Sequence, residues 1–177
     1  MNYMKNTINL ITKFFDEGDW KYQRLKREND DVVFKANISM GSILGYLKLH
    51  VIVRKNDYIV NATLNNTAEK EAYPRITEYL HRANYSMSNG NFEFDYEDGE
   101  ITYKTYVNFD GGVNLSEQVI EDSIIIPILM FDKYGKNLLR LMLESGDPKQ
   151  LIEDAEQHFL KERIEKALSS EDTTSSP

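Results

Sequence analysis

Residues 79–109, YLHRANYSMSNGNFEFDYEDGEITYKTYVNF, constrain the fold most, because the apolar period changes inside them. Tyr79, Leu80 and Ala83, with Ile76 before them, recur as on one face of a helix, and the pattern then turns to alternation. Phe92 and Phe94 share one face of a first arm, and Ile101, Tyr103 and Thr105 share one face of a returning arm. Glu97-Asp98-Gly99 lies between the arms, and Asp-Gly suits a reversal because both residues tolerate positive φ. The spacing therefore predicts a helix that ends directly before a β-hairpin.

The preceding residues extend this into a sheet. Trp20 and Tyr22 open a first strand, and Asn29-Asp30-Asp31 makes a polar turn. Val32, Phe34, Ala36, Ile38 and Met40 alternate with Val33, Lys35, Asn37 and Ser39, and Leu47, Leu49, Val51 and Val53 with Lys48, His50, Ile52 and Arg54. Tyr58, Val60, Ala62 and Leu64 form the next inward row after a turn at Lys55-Asn56-Asp57. Short connections between four strands require an antiparallel meander, since parallel neighbours need long crossovers. Gly41-Ser42 and Gly45 mark a bulge or wide turn.

Four helical regions frame these strands. Residues 4–16 carry a stripe of Ile8, Ile11 and Phe15, with Gly18 as a stop. A loose turn at 66–72 leads to a helix from Pro74 to Tyr85, where proline's missing donor does no harm. A long region opens at Ser116, and Pro127 predicts a bend in it because the bond to residue 123 is lost. After Gly146-Asp147-Pro148 a last helix spans 149–168, with Leu151, Ile152, Ala155, Phe159 and Leu160 assigned to one side. The expected organisation is an α+β domain over 1–145, an acidic helical extension over 146–168 and a disordered tail over 169–177. From Glu144 onward the chain has nine acidic and four basic residues, so the extension differs in charge from the domain. Packing back on the domain is its plainest fate; pairing with a second copy and staying exposed for a partner are the others.

Function classes narrow by exclusion. The chain has no cysteine, which removes disulfides, thiolate nucleophiles and cysteine metal sites and fits a reducing compartment. The first twenty residues lack the apolar run and cleavage pattern of a signal peptide, and the longest apolar run, residues 124–131, is too short to span a bilayer. A cytoplasmic protein is expected, with no membrane partner. The net charge of −8 repels phosphate backbones, and the best basic cluster, residues 21–27 (KYQRLKR), reads as a solvated strand face, so no nucleic-acid partner is expected.

Candidate chemical residues do not assemble into a motif. His50, His81 and His158 are far apart and lack an HExxH or paired spacing. Asp95, Glu97, Asp98 and Glu100 lack the twelve-residue calcium loop, and a hairpin turn accounts for them, as a turn accounts for Asp30 and Asp31. Ser39, Ser42 and Ser116 have no activating context, and Gly111-Gly112 is not a phosphate loop. No catalytic residue, metal or cofactor is assigned. Tyr46, Tyr58, Tyr96, Tyr103 and Tyr106 stand out instead, because tyrosine covers apolar area while its hydroxyl stays hydrated. Ordinary sheet tyrosines with wet hydroxyls are the plainer explanation. Val33, Ile52 and Ile59, on the polar side of their strands, point to an open sheet face. The candidate protein-contact residues are Val33, Ile52, Tyr58, Ile59, Tyr103 and Tyr106 on the sheet, and Ile152 and Phe159 on the last helix.

The order of helix, antiparallel strands, helix, hairpin and long helix resembles the YbjN-like family of bacterial proteins, whose fold is similar to that of type III secretion chaperones. The resemblance rests on Tyr79-Leu80-His81-Arg82-Ala83-Asn84-Tyr85, Phe92-Glu93-Phe94-Asp95, Asp98-Gly99-Glu100, Thr102-Tyr103-Lys104 and Leu115-Ser116-Glu117, which opens the final helix. It implies a non-enzymatic adaptor or chaperone-like regulator, with a protein partner or self-association, including a homodimer, and it carries no catalytic residues. Two other classes are kept. One is a small-ligand protein or enzyme with a site near the end of helix 74–85 and the 91–108 hairpin, built from His81 with Asp95 or Glu100. The other is a structural or toxin-neutralising subunit whose acidic surface meets a basic target.

Overall fold

Six strands hydrogen-bond into one antiparallel sheet: β1 (Tyr22–Lys26), β2 (Val32–Ser39), β3 (Tyr46–Val53), β4 (Asp57–Leu64), β5 (Asn91–Phe94) and β6 (Ile101–Asn108). The computed structural model describes residues 3–41, 43–85 and 87–171. Strand order is β1-β2-β3-β4-β6-β5, so the meander is regular through β4 and the hairpin then enters with its second arm against β4. The wide turn expected near Gly45 is closed by the Met40 N–H donating to the Gly45 carbonyl at 2.9 Å; Ser42 lies outside the described residues.

The helices are α1 (Tyr3–Glu17), α2 (Tyr73–Asn84), α3 (Glu117–Leu143) and α4 (Pro148–Glu171). They pack on one side of the sheet. Phe15 of α1 stacks on Tyr22 and Phe34 with ring centroids 4.9 and 5.7 Å away, and Phe92 of β5 meets Phe131 of α3 at 5.3 Å. Tyr58, Tyr103 and Thr105 point the same way, because β4–β6 pairing sets Val60 opposite Thr105 and Ala62 opposite Tyr103. A short 3-10 turn, Lys70–Ala72, feeds α2, and Ile76, Tyr79, Leu80 and Ala83 form its buried face as their spacing predicts.

Three local devices hold the hairpin. Asp95 Oδ1 accepts from the Glu97 N–H and Asp98 Oδ1 from the Glu100 N–H, which gives both acids a turn-forming role. Gly99 has φ +75°, and a Cβ there would lie 2.3 Å from the Ala68 carbonyl oxygen, so conformation and space both require glycine. The Asn84 side chain donates to the Phe92 carbonyl at 2.9 Å and accepts from the Phe92 N–H at 2.7 Å. One amide thereby imitates a paired strand residue and blunts the outer edge of β5.

Helix α3 starts where Ser116 predicts, its Oγ accepting from the Val119 N–H, and it stays one helix across Pro127. The carbonyl that proline deprives of its helical donor, that of Ser123, accepts instead from Thr105 Oγ1 of β6 at 2.8 Å. Ser123 Oγ donates to the Ile120 carbonyl, so the buried Tyr58 hydroxyl, 2.8 Å away, donates to Ser123 Oγ.

The first half of α4 packs back against α2 and α3, burying Leu151, Ile152 and Ala155. Asn137 Nδ2 donates to the Leu151 carbonyl and Tyr134 Oη to Glu156. Leu160 does not join that side: five residues beyond Ala155 turns it about 140° around the helix, and it is exposed. The helix also runs on through Glu171, past the expected limit at 168; the rest of the expected tail, 172–177, lies outside the described residues. Among the described residues, no helix is long and apolar enough to cross a membrane.

Candidate functional site

Among the described residues every helix lies on one side and none covers the other side of the sheet, whose register gathers residues that are scattered in sequence. Leu25 pairs with Val33, Val33 with Ile52, Ile52 with Ile59, and Ile59 with Tyr106. Directly opposed residues point to the same face, so these five side chains form one row across five strands, about 19 Å long at about 4.8 Å per strand. The row is separate from the core packed under the helices. Its ends are the most open, Leu25 at 46% and Tyr106 at 51% exposure, while Ile52 and Ile59 are half-buried between them.

The neighbouring row is polar. Lys35 pairs with His50, His50 with Asn61, and Asn61 with Lys104; the next row sets Lys48 beside Thr63 and Thr63 beside Thr102. Lys48, His50, Asn61, Thr63, Thr102 and Lys104 line a groove of about 510 Å³, closed toward the hairpin by Glu93, Asp95, Tyr96 and Glu100. Lys104 is paired with Glu93, whereas Lys35 and Lys48 have no ion-pair partner among the described residues. Burial first, and the charge of Lys35 second, hold the His50 pKa below the usual histidine range, so its ring is neutral at pH 7. Asn61 Oδ1 is buried and accepts no hydrogen bond among the described residues, a condition that costs about 1–3 kcal/mol.

Several expected contact residues are elsewhere. Tyr58 and Tyr103 are 0% and 1% exposed and belong to the core, their hydroxyls bound to Ser123 and to the Asn89 carbonyl. Burial raises both phenol pKa values to about 12. Val33 is in the open row but is covered by its neighbours, so it supports the row rather than offering surface. Ile152 is buried where α4 meets the domain and is equally unavailable. Phe159 is half-buried, with Lys133 and Arg163 over its ring at 5.4 and 5.8 Å. Ile52, Ile59 and Tyr106 do come together, and Tyr46 and Tyr96 are exposed.

The site imagined from His81 with Asp95 or Glu100 is not assembled. His81 lines a groove with Arg82, Tyr85, Lys149, Ile152, Glu153 and Glu156, while both acids border the open-face groove. The histidine near Glu100 is His50. Leu25 and the Lys35–His50–Asn61–Lys104 row were missed by sequence reasoning. The usable signal was strand register: once the turns are placed, counting outward from each sets Leu25 beside Val33 and His50 beside Asn61. No group of three or more His, Asp and Glu among the described residues is placed to hold a metal ion. No protein-family model matches the chain, and no curated protein matches it.

Proposed function

We propose that the uncovered sheet face binds a segment of another protein and that the chain acts as an adaptor or chaperone-like regulator rather than as a catalyst. The observation that carries this reading is the apolar surface of Leu25, Ile52, Ile59 and Tyr106, aligned through the buried Val33 on the side of the sheet that no described helix covers. Covering such surface yields about 25 cal/mol per Å² removed from water. The adjoining row selects the partner's chemistry. Lys35 and Lys48 have no ion-pair partner among the described residues, which favours a segment with apolar side chains on one flank and carboxylates on the other. The resemblance to the YbjN-like family points toward the same non-enzymatic class.

The test is capture of the tagged full chain at native abundance, in parallel with Leu25→Asp and Tyr106→Asp, and with Leu129→Asp as an exposed control on α3. A stoichiometric partner held by the wild type and the control but lost from both row variants supports the reading. A partner retained by the row variants, or none held by the wild type, removes it.

A further inference from the structure

The projecting half of α4 carries a surface independent of the sheet. Leu160, Ile164 and Leu168 are 60, 50 and 62% exposed. At about 100° per residue Ile164 lies about 180° around the helix from the buried Ala155, with Leu160 and Leu168 about 40° to either side. The stripe therefore faces directly away from the domain on which α4 packs, and among the described residues nothing covers it.

We infer that a second copy of this chain covers it, the two α4 helices crossing antiparallel about a two-fold axis at Ile164. The spacing is symmetric about that residue, four positions on each side, so Leu160 meets Leu168 of the partner subunit and Ile164 meets its own equivalent, as a two-fold contact requires. Charge is complementary under the same operation. Lys161 and Glu165 lie on one flank of the stripe, and an antiparallel two-fold keeps like flanks together, so Lys161 opposes Glu165 of the partner subunit, twice. Arg163 is on the other flank, where self-opposition would repel, but its guanidinium leans back over Phe159, 5.8 Å from the ring, on the domain side. Each domain lies beyond the buried side of its own α4, so the two bodies sit on opposite outer sides of the helix pair and do not collide. Three apolar side chains per copy along about 12 Å of helix make a small interface, below the roughly 1,200 Å² of stable complexes, and the dimer is a concentration-dependent one.

Sedimentation velocity of the full chain from micromolar to about 1 mM tests this, because that range brackets the weak association expected of so small an interface. The wild type should form more dimer as concentration rises. Ile164→Asp should weaken the dimer at least about tenfold, and Lys161→Glu about three- to tenfold through two lost exposed pairs. Lys161→Glu with Glu165→Lys should restore it. All three positions are exposed, so circular dichroism should be unchanged. Because the chain has no cysteine, Gln157→Cys accepts a single spin label. Labels about 20–25 Å apart support the antiparallel crossing, since 14 residues of rise separate them, and about 10 Å overturns it. A wild type monomeric throughout, a dimer indifferent to Ile164→Asp, or a charge swap that fails to restore association also overturns it.

Discussion

Thr105→Val tests how this fold accommodates a proline in the middle of its longest helix. The substitution keeps shape and removes only the hydroxyl that donates to the Ser123 carbonyl. That carbonyl is left with no donor, because residue 127, which would supply the helical N–H, is proline. Both groups are buried, so the cost is about 1–3 kcal/mol, or about 2–4 °C of Tm per kcal/mol for a chain of this size. In a Pro127→Ala background the amide returns and can take the Ser123 carbonyl itself, so the same substitution should cost about 1 kcal/mol less. Urea unfolding of the four proteins, followed by circular dichroism and by the fluorescence of Trp20, the single tryptophan, closes the cycle. Whatever Pro127→Ala does alone through lost packing or unfolded-state entropy cancels in the difference. Equal costs of Thr105→Val in both backgrounds, within about 0.5 kcal/mol, would refute the assignment of Thr105 as the substitute donor.

Two further predictions follow from buried polar contacts. Asn84→Ala should destabilise the chain by about 1–3 kcal/mol, and Asn84→Asp should recover only part of it, since a carboxylate accepts from the Phe92 N–H but cannot donate to its carbonyl; hydrogen exchange of the Phe92 amide reads this locally, and unchanged protection in Asn84→Ala would count against the clamp. Alkali should unfold the chain cooperatively. Burial raises the phenol pKa of Tyr58 and Tyr103 to about 12 and raises those of Tyr79 and Tyr134 as well. The folded values exceed the unfolded ones, so this stability is complete below about pH 10 and is lost as pH rises from there through the folded values, at about 1.4 kcal/mol per pH unit for each tyrosine. Phenolate absorbance should therefore rise in step with loss of ellipticity, and four tyrosines ionising near pH 10 in a folded chain would contradict their burial.

Much of the fold is legible in short-range pattern. A strand's side chains alternate with a period of two whatever surrounds them, so Val32, Phe34 and Ala36 were assigned together on local evidence, as were Val33, Ile52 and Ile59 on the opposite side. The caps and turns are equally local: Ser116 opens α3, and Asp95, Asp98 and Gly99 shape the hairpin within a few residues of themselves. Tertiary structure decided whatever depends on partners far along the chain. Tyr58 and Tyr103 look like contact residues because tyrosine suits both wet and buried places, and α3, through Ser123 65 residues from Tyr58, supplies the hydrogen bond that lets that hydroxyl be buried. Likewise His81 and Asp95 are near in sequence, yet a helix end and a strand end carry them into different grooves, while His50 and Asn61 become neighbours through pairing. The sequence by itself determined which residues share a face of each strand, because that follows from backbone period. Which faces are covered, and therefore that one side of the sheet and one stripe of α4 are left open, was decided by how the helices pack, since burial is a property of the assembled chain.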